Sequence, residues 1–294
     1  MTLPRLPCAR HRTLLLVLTL LLTALPAAAA PRLATLDWTL AETLVALGVA
    51  PVGVAQTAAY DAWVAEPALP ASVADLGLRT QPSRERLAAL APDRILITPM
   101  FASLAPLLEP IAPVTTVPLY AGRDATWPAL LATTRRLADI AGRPAAAERL
   151  IATTETRLAG LRAALPETTR PLLMVQFMDA RHVRVFGDHS LYQAVARRLG
   201  LENAWHRPTN AWGFSLVGLE ALAGIDARLM VIRPLPAGVE DALADNGLWQ
   251  HLAAVRSGEV DYLPPVWSFG GLPSATRFAE ALSRTLPTRE DGAP

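Results

Sequence analysis

Lysine is absent from this sequence, so all 27 of its basic residues are arginines, and 26 acidic residues balance them. The formal net charge is only +1 at pH 7. Proteins that bind nucleic acid carry a clustered excess of positive charge, because they must neutralise phosphates. The charge balance therefore gives no reason to expect a DNA or RNA partner.

Cysteine is nearly absent too: Cys8 is the only one, and it precedes an apolar run at 14–25. That run is too short to span a bilayer comfortably. It follows Arg5, Arg10 and Arg12 and is followed by four alanines at 27–30. This order is typical of a secretory signal peptide, so we predict that residues 1–30 direct export to the periplasm. A lipid-anchored cysteine would follow the apolar run, which excludes Cys8 from that role.

The mature chain then has no disulfide and no thiol chemistry, although its compartment is oxidising. Its histidines lack the spacing of a metal site, which needs several converging ligands. Gly213-Phe214-Ser215 lacks the second glycine of a nucleophile elbow, and no glycine-rich phosphate loop precedes a helix. The four histidines after the signal peptide are His182, His189, His206 and His251. We therefore predict that the protein is not an enzyme, needs no cofactor and binds no metal with its own side chains.

Short β-like runs alternate with helix-like runs in both halves of the mature chain. In the first half, the predicted strands and helices are 33–36, 40–47, 52–55, 83–90, 95–98 and 114–119. In the second half, they are 172–177, 183–186, 191–199, 229–232, 240–243 and 260–263. Alternation of this kind predicts the α/β class, with a parallel sheet covered by helices on both faces in each half.

The middle of the chain is helical throughout. A helix at 125–141 ends at Gly142, and Pro144 begins a second one at 145–165 that Pro166 closes. Twenty or so helical residues span about 30 Å, the length of a lobe. We predict a single stiff helix between two Rossmann-like βα lobes; an ordinary surface helix of one larger domain is the alternative. The predicted divisions are 1–30 (signal peptide), 31–142 (N-terminal lobe), 143–166 (interlobe helix) and 167–294 (C-terminal lobe).

Several tryptophans and one arginine lie in loop-like contexts, which is typical of a cleft for a bulky ligand. Five segments in order carry a resemblance: LVALGVAP at 44–51, WVAEP at 63–67, DLGLRT at 75–80, RHVRVFG at 181–187 and NAW at 203–205. With them, the chain resembles the periplasmic ferric hydroxamate binding proteins of bacterial ABC importers, over about residues 34–281. That family has the class III periplasmic binding protein fold, with a rigid interlobe helix.

The resemblance implies a set of ligand-binding residues. The family's arginine, which points at iron-bound hydroxamate oxygens, falls on Arg79, and a ligand-contacting tyrosine falls on Phe101, with loss of its hydroxyl. Another aromatic residue of the family falls on Ser268. The remaining aromatic wall falls on Trp38, Trp63, Trp212, Trp267 and Phe269. From the residues alone, Trp38 and Trp63 fit a core equally well, and Trp127 and Trp249 fit a core better.

The ligand's chemistry agrees with this set. A ferric tris-hydroxamate is nearly neutral and its iron is already saturated, so it needs aromatic faces and one or two donors. A ferric tris-catecholate is strongly negative and calls for several arginines. Only Arg79 lies in a segment that matches the family, and a single arginine favours a hydroxamate ligand. Arg123 and Arg233 lie near the ends of predicted strands and are further candidates for positive charge in the site.

The resemblance also implies a partner, the inner-membrane ABC permease, which contacts one carboxylate on each lobe. The C-terminal position falls on Glu220; the N-terminal one falls on Pro106, with Glu109 one turn away. We expect a monomeric binding protein for Fe(III)-siderophores with little lobe closure, since its linker is helical. A haem or cobalamin carrier of the same fold, an enzyme that releases iron from siderophores, and a sensor subunit are the alternatives.

Overall fold

The computed structural model describes residues 30–119, 126–167 and 169–287. The predicted signal peptide, apart from Ala30, lies outside the described residues, and so does Arg123. Within the described part of the chain, no helix is long and apolar enough to cross a membrane.

The N-terminal lobe is built on a parallel five-stranded sheet of order β3-β2-β1-β6-β7. As predicted, short helices connect strands that share one direction; the predicted strand 114–119 ends early, at Thr116. A hairpin of β4 and β5 leaves this sheet after β3. The strands are β1 (Leu33–Thr35), β2 (Gly53–Val54), β3 (Ala74–Asp75), β4 (Gly77–Leu78), β5 (Gln81–Pro82), β6 (Arg94–Ile97) and β7 (Val114–Thr116). The helices are α1 (Trp38–Ala46), α2 (Thr57–Trp63), α3 (Arg84–Ala89), a 3-10 helix (Pro99–Leu104) and α4 (Ala105–Leu108).

The C-terminal lobe has a second five-stranded sheet, of order β10-β9-β8-β11-β12. Its strands are β8 (Leu172–Phe177), β9 (His182–Phe186), β10 (Phe214–Gly218), β11 (Arg228–Ile232) and β12 (Val260–Leu263). The prediction of a parallel sheet is wrong here for β9, which is antiparallel to both β8 and β10. The reason is the short connection 178–181, because a parallel pair needs a crossover of a dozen or more residues. Strand β10 was not predicted.

Three helices lie where the two lobes meet. The predicted helices of the middle segment are confirmed as α5 (Thr126–Ile140) and α6 (Pro144–Ala164). Trp127 and Leu130 of α5 pack in the core of the C-terminal lobe, whereas Leu137 and Ala138 pack in that of the N-terminal lobe. The unpredicted α11 (Leu272–Thr285) packs on α6, on α7 (Leu191–Arg198) and on α1.

Helices α8 (Val239–Ala244), α9 (Gly247–His251) and α10 (Ala253–Arg256) complete the second lobe. The predicted lobe limits stay a prediction, since α5 and α11 contact both lobes.

A buried carboxylate joins the lobes beside these helices. Glu42 of α1 is fully buried and accepts hydrogen bonds from Gly271 N and from Ser274 Oγ (2.6 Å), at the first turn of α11. A side chain at Gly270 would collide with both, its Cβ lying 2.2 Å from the Cβ of Ser274 and 2.8 Å from Glu42 Oε1. Arg277, one turn later, donates to the carbonyl oxygens of Val64 and Pro265. The polar contacts therefore fix α11 against the N-terminal lobe.

Burial raises the pKa of Glu42 from 4.5 to about 8, against the opposing effects of Ser274, Gly271 and Arg277. The folded state then retains a proton that the unfolded state releases. The contribution of Glu42 to stability is therefore fully present below pH 4.5 and is lost as the pH rises towards about 8.

We expect the free energy of unfolding of wild type to fall across this pH interval, and that of Glu42→Gln to fall less. The amide resembles the protonated acid: its oxygen accepts from Gly271 and its nitrogen donates to the Ser274 hydroxyl. Denaturant unfolding of both proteins at a series of pH values measures the difference. Identical pH profiles would show that Glu42 stays ionised in the folded protein.

Candidate functional site

The site begins where β1 ends. Asp37 is buried and caps α1, with Oδ1 accepting from Thr39 N (2.8 Å) and Leu40 N (3.4 Å). Its Oδ2 accepts from Thr98 Oγ1 at 3.0 Å, just after β6. Aspartate before an apolar helix is a common N-cap because its oxygen satisfies free backbone N–H groups. Asp37 thereby holds a negative charge at the carboxyl edge of the first sheet.

Arg79 reaches this charge from the turn between β4 and β5. Gly77 opens the hairpin with a φ of +81°, which is unfavourable for other residues, and its N donates to Asp75 Oδ1 at 2.7 Å. The Arg79 backbone N donates to Gln56 Oε1 (3.4 Å) and its Nε donates to Leu36 O (3.1 Å). Its Nη2 lies 3.6 Å from Asp37 Oδ2. The guanidinium is therefore oriented before any ligand arrives.

Three aromatic rings surround the Arg79 guanidinium. Its Cζ lies 4.4 Å from the ring centroid of Trp38, 5.0 Å from that of Phe101 and 5.5 Å from that of Trp267. Burial lowers the pKa of Arg79, and Asp37 acts in the opposite direction. Nη1 of Arg79 has no hydrogen-bond partner among the described residues. Every fully buried side-chain nitrogen in that part of the chain does have a partner, so Nη1 must be exposed to solvent. This donor is available to a ligand.

The rings continue into the C-terminal lobe as a row of edge contacts. Trp267 lies 4.9 Å from Trp38 and 5.2 Å from Phe269, and Phe269 lies 5.7 Å from Trp212, between centroids. Thr39 ties this row to α1, since its Oγ1 donates to Phe269 O (2.6 Å) and accepts from Trp267 Nε1 (3.1 Å). The row therefore crosses the junction of the two lobes. We call the surface that the half-buried Arg79, Trp63, Trp212 and Phe269 form at this junction the groove.

The structure brings all seven predicted ligand-binding residues to this junction, in two levels of exposure. The side chains of Trp38, Phe101 and Trp267 are at most 9% exposed, and their rings pack against the Arg79 guanidinium. Trp63 is half-buried against the cluster that contains Trp38 and Trp267. The half-buried residues that offer a face to solvent are Trp63, Trp212 and Phe269. Ser268, by contrast, is buried.

The sequence did not identify Arg184 of β9 or Leu216 of β10 as candidate site residues. Arg184 of β9 places its Cζ 4.8 Å from the ring of Phe214 and 6.0 Å from the ring of Phe269. Its cross-strand neighbour Leu216 is 61% exposed. The alternation in HVRVF did signal that Arg184 lies opposite Val183 and Val185, but it did not say which face meets the groove.

Other residues considered from the sequence lie elsewhere. Arg233 pairs with Glu240 (3.7 Å) and contacts the Tyr262 ring, away from the aromatic row. Glu109 caps the end of α4, and Glu220 lies in the first turn of a second 3-10 helix (Leu219–Leu222); both are exposed. The buried Trp127, Trp205 and Trp249 belong to lobe cores. No cluster of three or more histidine, cysteine or acidic side chains among the described residues is arranged to hold a metal ion.

Comparison with curated sequences gives relatives that match most of the chain. The chain is 34% identical over 257 residues to the iron(3+)-hydroxamate-binding protein FhuD of Escherichia coli, covering 87% of this chain and 86% of that protein. It is 29% identical over 276 residues to the achromobactin-binding periplasmic protein of Dickeya dadantii, covering 86% and 85%.

Comparison with solved structures gives the same fold. The siderophore-binding protein FhuD from Vibrio cholerae, solved with Fe³⁺–Desferal, superimposes with a TM-score of 0.82 at 31% identity. The match covers 88% of this chain and 98% of that one. The sequence profile of the periplasmic binding protein family matches residues 33–266. The α/β fold of class III, with two sheet lobes, is thus confirmed, and the chain belongs to the periplasmic binding protein family.

Proposed function

We propose that this protein captures ferric hydroxamate siderophores in the periplasm and delivers the intact complex to an inner-membrane ABC permease. The protein is a binding protein, as its curated relatives are, and not an enzyme. Residues 1–30 are proposed to direct its export. The relatives from Escherichia coli and Vibrio cholerae support the ligand class, since their names and bound compound are those of hydroxamate-binding proteins.

One observation carries the proposal: the Arg79 guanidinium, fixed among aromatic rings at the junction of the lobes. A ferric hydroxamate presents six oxygens with partial negative charge inside an apolar body. Nη1 of Arg79 is placed to donate to such an oxygen, and the half-buried rings are placed to contact the body. Iron stays coordinated by the siderophore, so the protein supplies no metal ligand.

The seven aromatic and cationic residues are proposed to share this work. Arg79 donates to the iron-proximal oxygens, and Trp63, Trp212 and Phe269 contact the chelate. Trp38 and Trp267 hold the arginine and the row in place. Phe101 fills the position of a tyrosine without its hydroxyl, so the oxygen that would accept from that hydroxyl relies on Arg79 or water.

The first experiment is a titration of the mature protein followed by tryptophan fluorescence. Because tryptophans line the groove, a bound ferric chelate quenches their emission. We expect saturable quenching by ferrichrome and ferrioxamine B at micromolar concentrations or below, and none by the same siderophores without iron. A ferric catecholate, haem and cobalamin serve as competitors of other classes.

The competitors separate this proposal from its alternatives. A response to haem or cobalamin without a response to any hydroxamate would assign the protein to tetrapyrrole transport. Turnover of a ferric chelate in the presence of a reductant would support the alternative that the protein is an enzyme that releases iron from siderophores. Normal hydroxamate uptake in a strain that lacks the gene would favour a sensor subunit over a transport component.

We expect Arg79→Ala to weaken ferric hydroxamate binding by roughly 2–4 kcal/mol, since a charged donor in a desolvated site is worth more than one at a surface. Isothermal titration gives the difference in affinity. Arg135→Ala is the matched control, because Arg135 pairs with Glu148 on an exposed helix surface far from the rings. Unchanged affinity in a folded Arg79→Ala protein would remove this residue from the site.

Docking on the permease is proposed to use Glu109 and Glu220. Neither pairs with a described basic side chain, and both are exposed. We expect Glu220→Ala to leave siderophore affinity unchanged and to lower the association rate with the permease, because exposed interface charges mainly steer encounter. Surface plasmon resonance with permease in nanodiscs measures that rate. Glu202→Ala, another exposed glutamate, is the control, and equal rates for both variants would contradict a docking role.

A further inference from the structure

A second arginine lies on the C-terminal wall of the groove. Arg184 is the central residue of β9, where Val183 and Val185 point into the lobe core and Arg184 points the other way. Its cross-strand neighbour is Leu216, and Phe214 lies on the same face of β10 because side chains alternate along a strand. The exposure of Leu216 means that this face opens to solvent.

Arg184 is joined to Arg79 through the aromatic row. Its Cζ lies 6.0 Å from the Phe269 ring, which contacts Trp267, and Trp267 lies 5.5 Å from the Cζ of Arg79. The two guanidinium groups therefore belong to one surface, on opposite sides of the lobe junction.

The two arginines differ in what surrounds their charge. Arg79 has Asp37 beside it at 3.6 Å. Arg184 contacts the rings of Phe214 and Phe269, and within the described residues no carboxylate pairs with it. Burial lowers its pKa, and the phenol of Tyr192 acts in the opposite direction. Since no fully buried side-chain nitrogen of the described residues lacks a partner, its unpaired nitrogens reach solvent.

A half-buried cation without a counter-ion favours an anionic ligand. Charge on Arg79 is balanced by Asp37, whereas charge on Arg184 is not, so the described groove carries one positive charge in excess. A neutral tris-hydroxamate complex leaves that charge unsatisfied. A complex with a carboxylate at its periphery satisfies it with a charge-assisted hydrogen bond, in a place where the rings limit competition from water.

We propose that Arg184 is a second ligand-binding residue and that it selects ferric hydroxamate siderophores that bear a peripheral carboxylate. This inference rests on the proposed function, because it assumes that a hydroxamate complex occupies the groove. Arg79 then binds the iron-proximal oxygens common to all such ligands, and Arg184 distinguishes them by the charge of their outer part.

The test uses three ferric complexes with one iron core. Ferrioxamine B ends in an ammonium group; acetylation of its amine makes the tail neutral, and succinylation ends it in a carboxylate. In wild type we expect affinity to rise from the ammonium to the acetyl to the succinyl complex, with about fivefold to tenfold between the last two. Added salt reduces these differences, since the arginine is partly exposed.

Two variants assign the preference to Arg184. Arg184→Leu keeps an apolar side chain over the Phe214 ring and is expected to bind the three complexes with nearly equal affinity. Arg184→Lys is expected to keep the order, because the charge remains. Thermal unfolding of each variant checks that it is folded. A preference for the succinyl complex that persists in Arg184→Leu would overturn the proposal.

The outcomes for wild type separate this inference from the proposed function. Equal affinities for the three complexes would overturn the role of Arg184 and leave hydroxamate binding intact. Binding of none of them, nor of ferrichrome, would overturn the proposed function itself, and the inference with it.

Discussion

The contact between Glu42 and the first turn of α11 determines where the other parts of the groove lie. A buried polar group is costly unless it is hydrogen-bonded, and the carboxyl group of Glu42 accepts from Gly271 N and Ser274 Oγ at the N-terminus of α11. Trp267 and Phe269 immediately precede that turn. Their position relative to α1 is therefore set by the same contact that joins the lobes.

Preorganisation of the groove follows from this arrangement. Helices α5 and α11 pack against both lobes, and Thr39 hydrogen-bonds to Phe269 and Trp267 across the junction. A ligand that binds between surfaces already held in place loses less free energy to ordering. Little lobe closure, predicted from the helical linker, stays a prediction, but three interlobe connections besides the linker now support it.

The sequence predicted the elements whose signals are local. Short β-like runs bounded by Pro, Gly and Asp predicted most strands, and Pro144 with Pro166 predicted α6, because proline is favoured at the first position of a helix and cannot continue one. Arg79 and the tryptophans came from the resemblance. Glu42 was missed because its partners are more than two hundred residues away, and periodicity carries no information about such pairs. Arg184 was missed because the face that meets the groove depends on β10, which lacked a recognisable pattern.

Asp37 has three tasks: it caps α1, accepts from Thr98 and balances Arg79. A mutation that changes this wall of the groove therefore also weakens a helix and a sheet edge. The opposite wall includes β10, the outermost strand of its sheet, where the side chain of Leu216 is largely exposed. Substitutions on the C-terminal wall therefore disturb the fold least, so homologues that bind different siderophores should differ there while keeping Asp37 and Arg79 on the N-terminal wall.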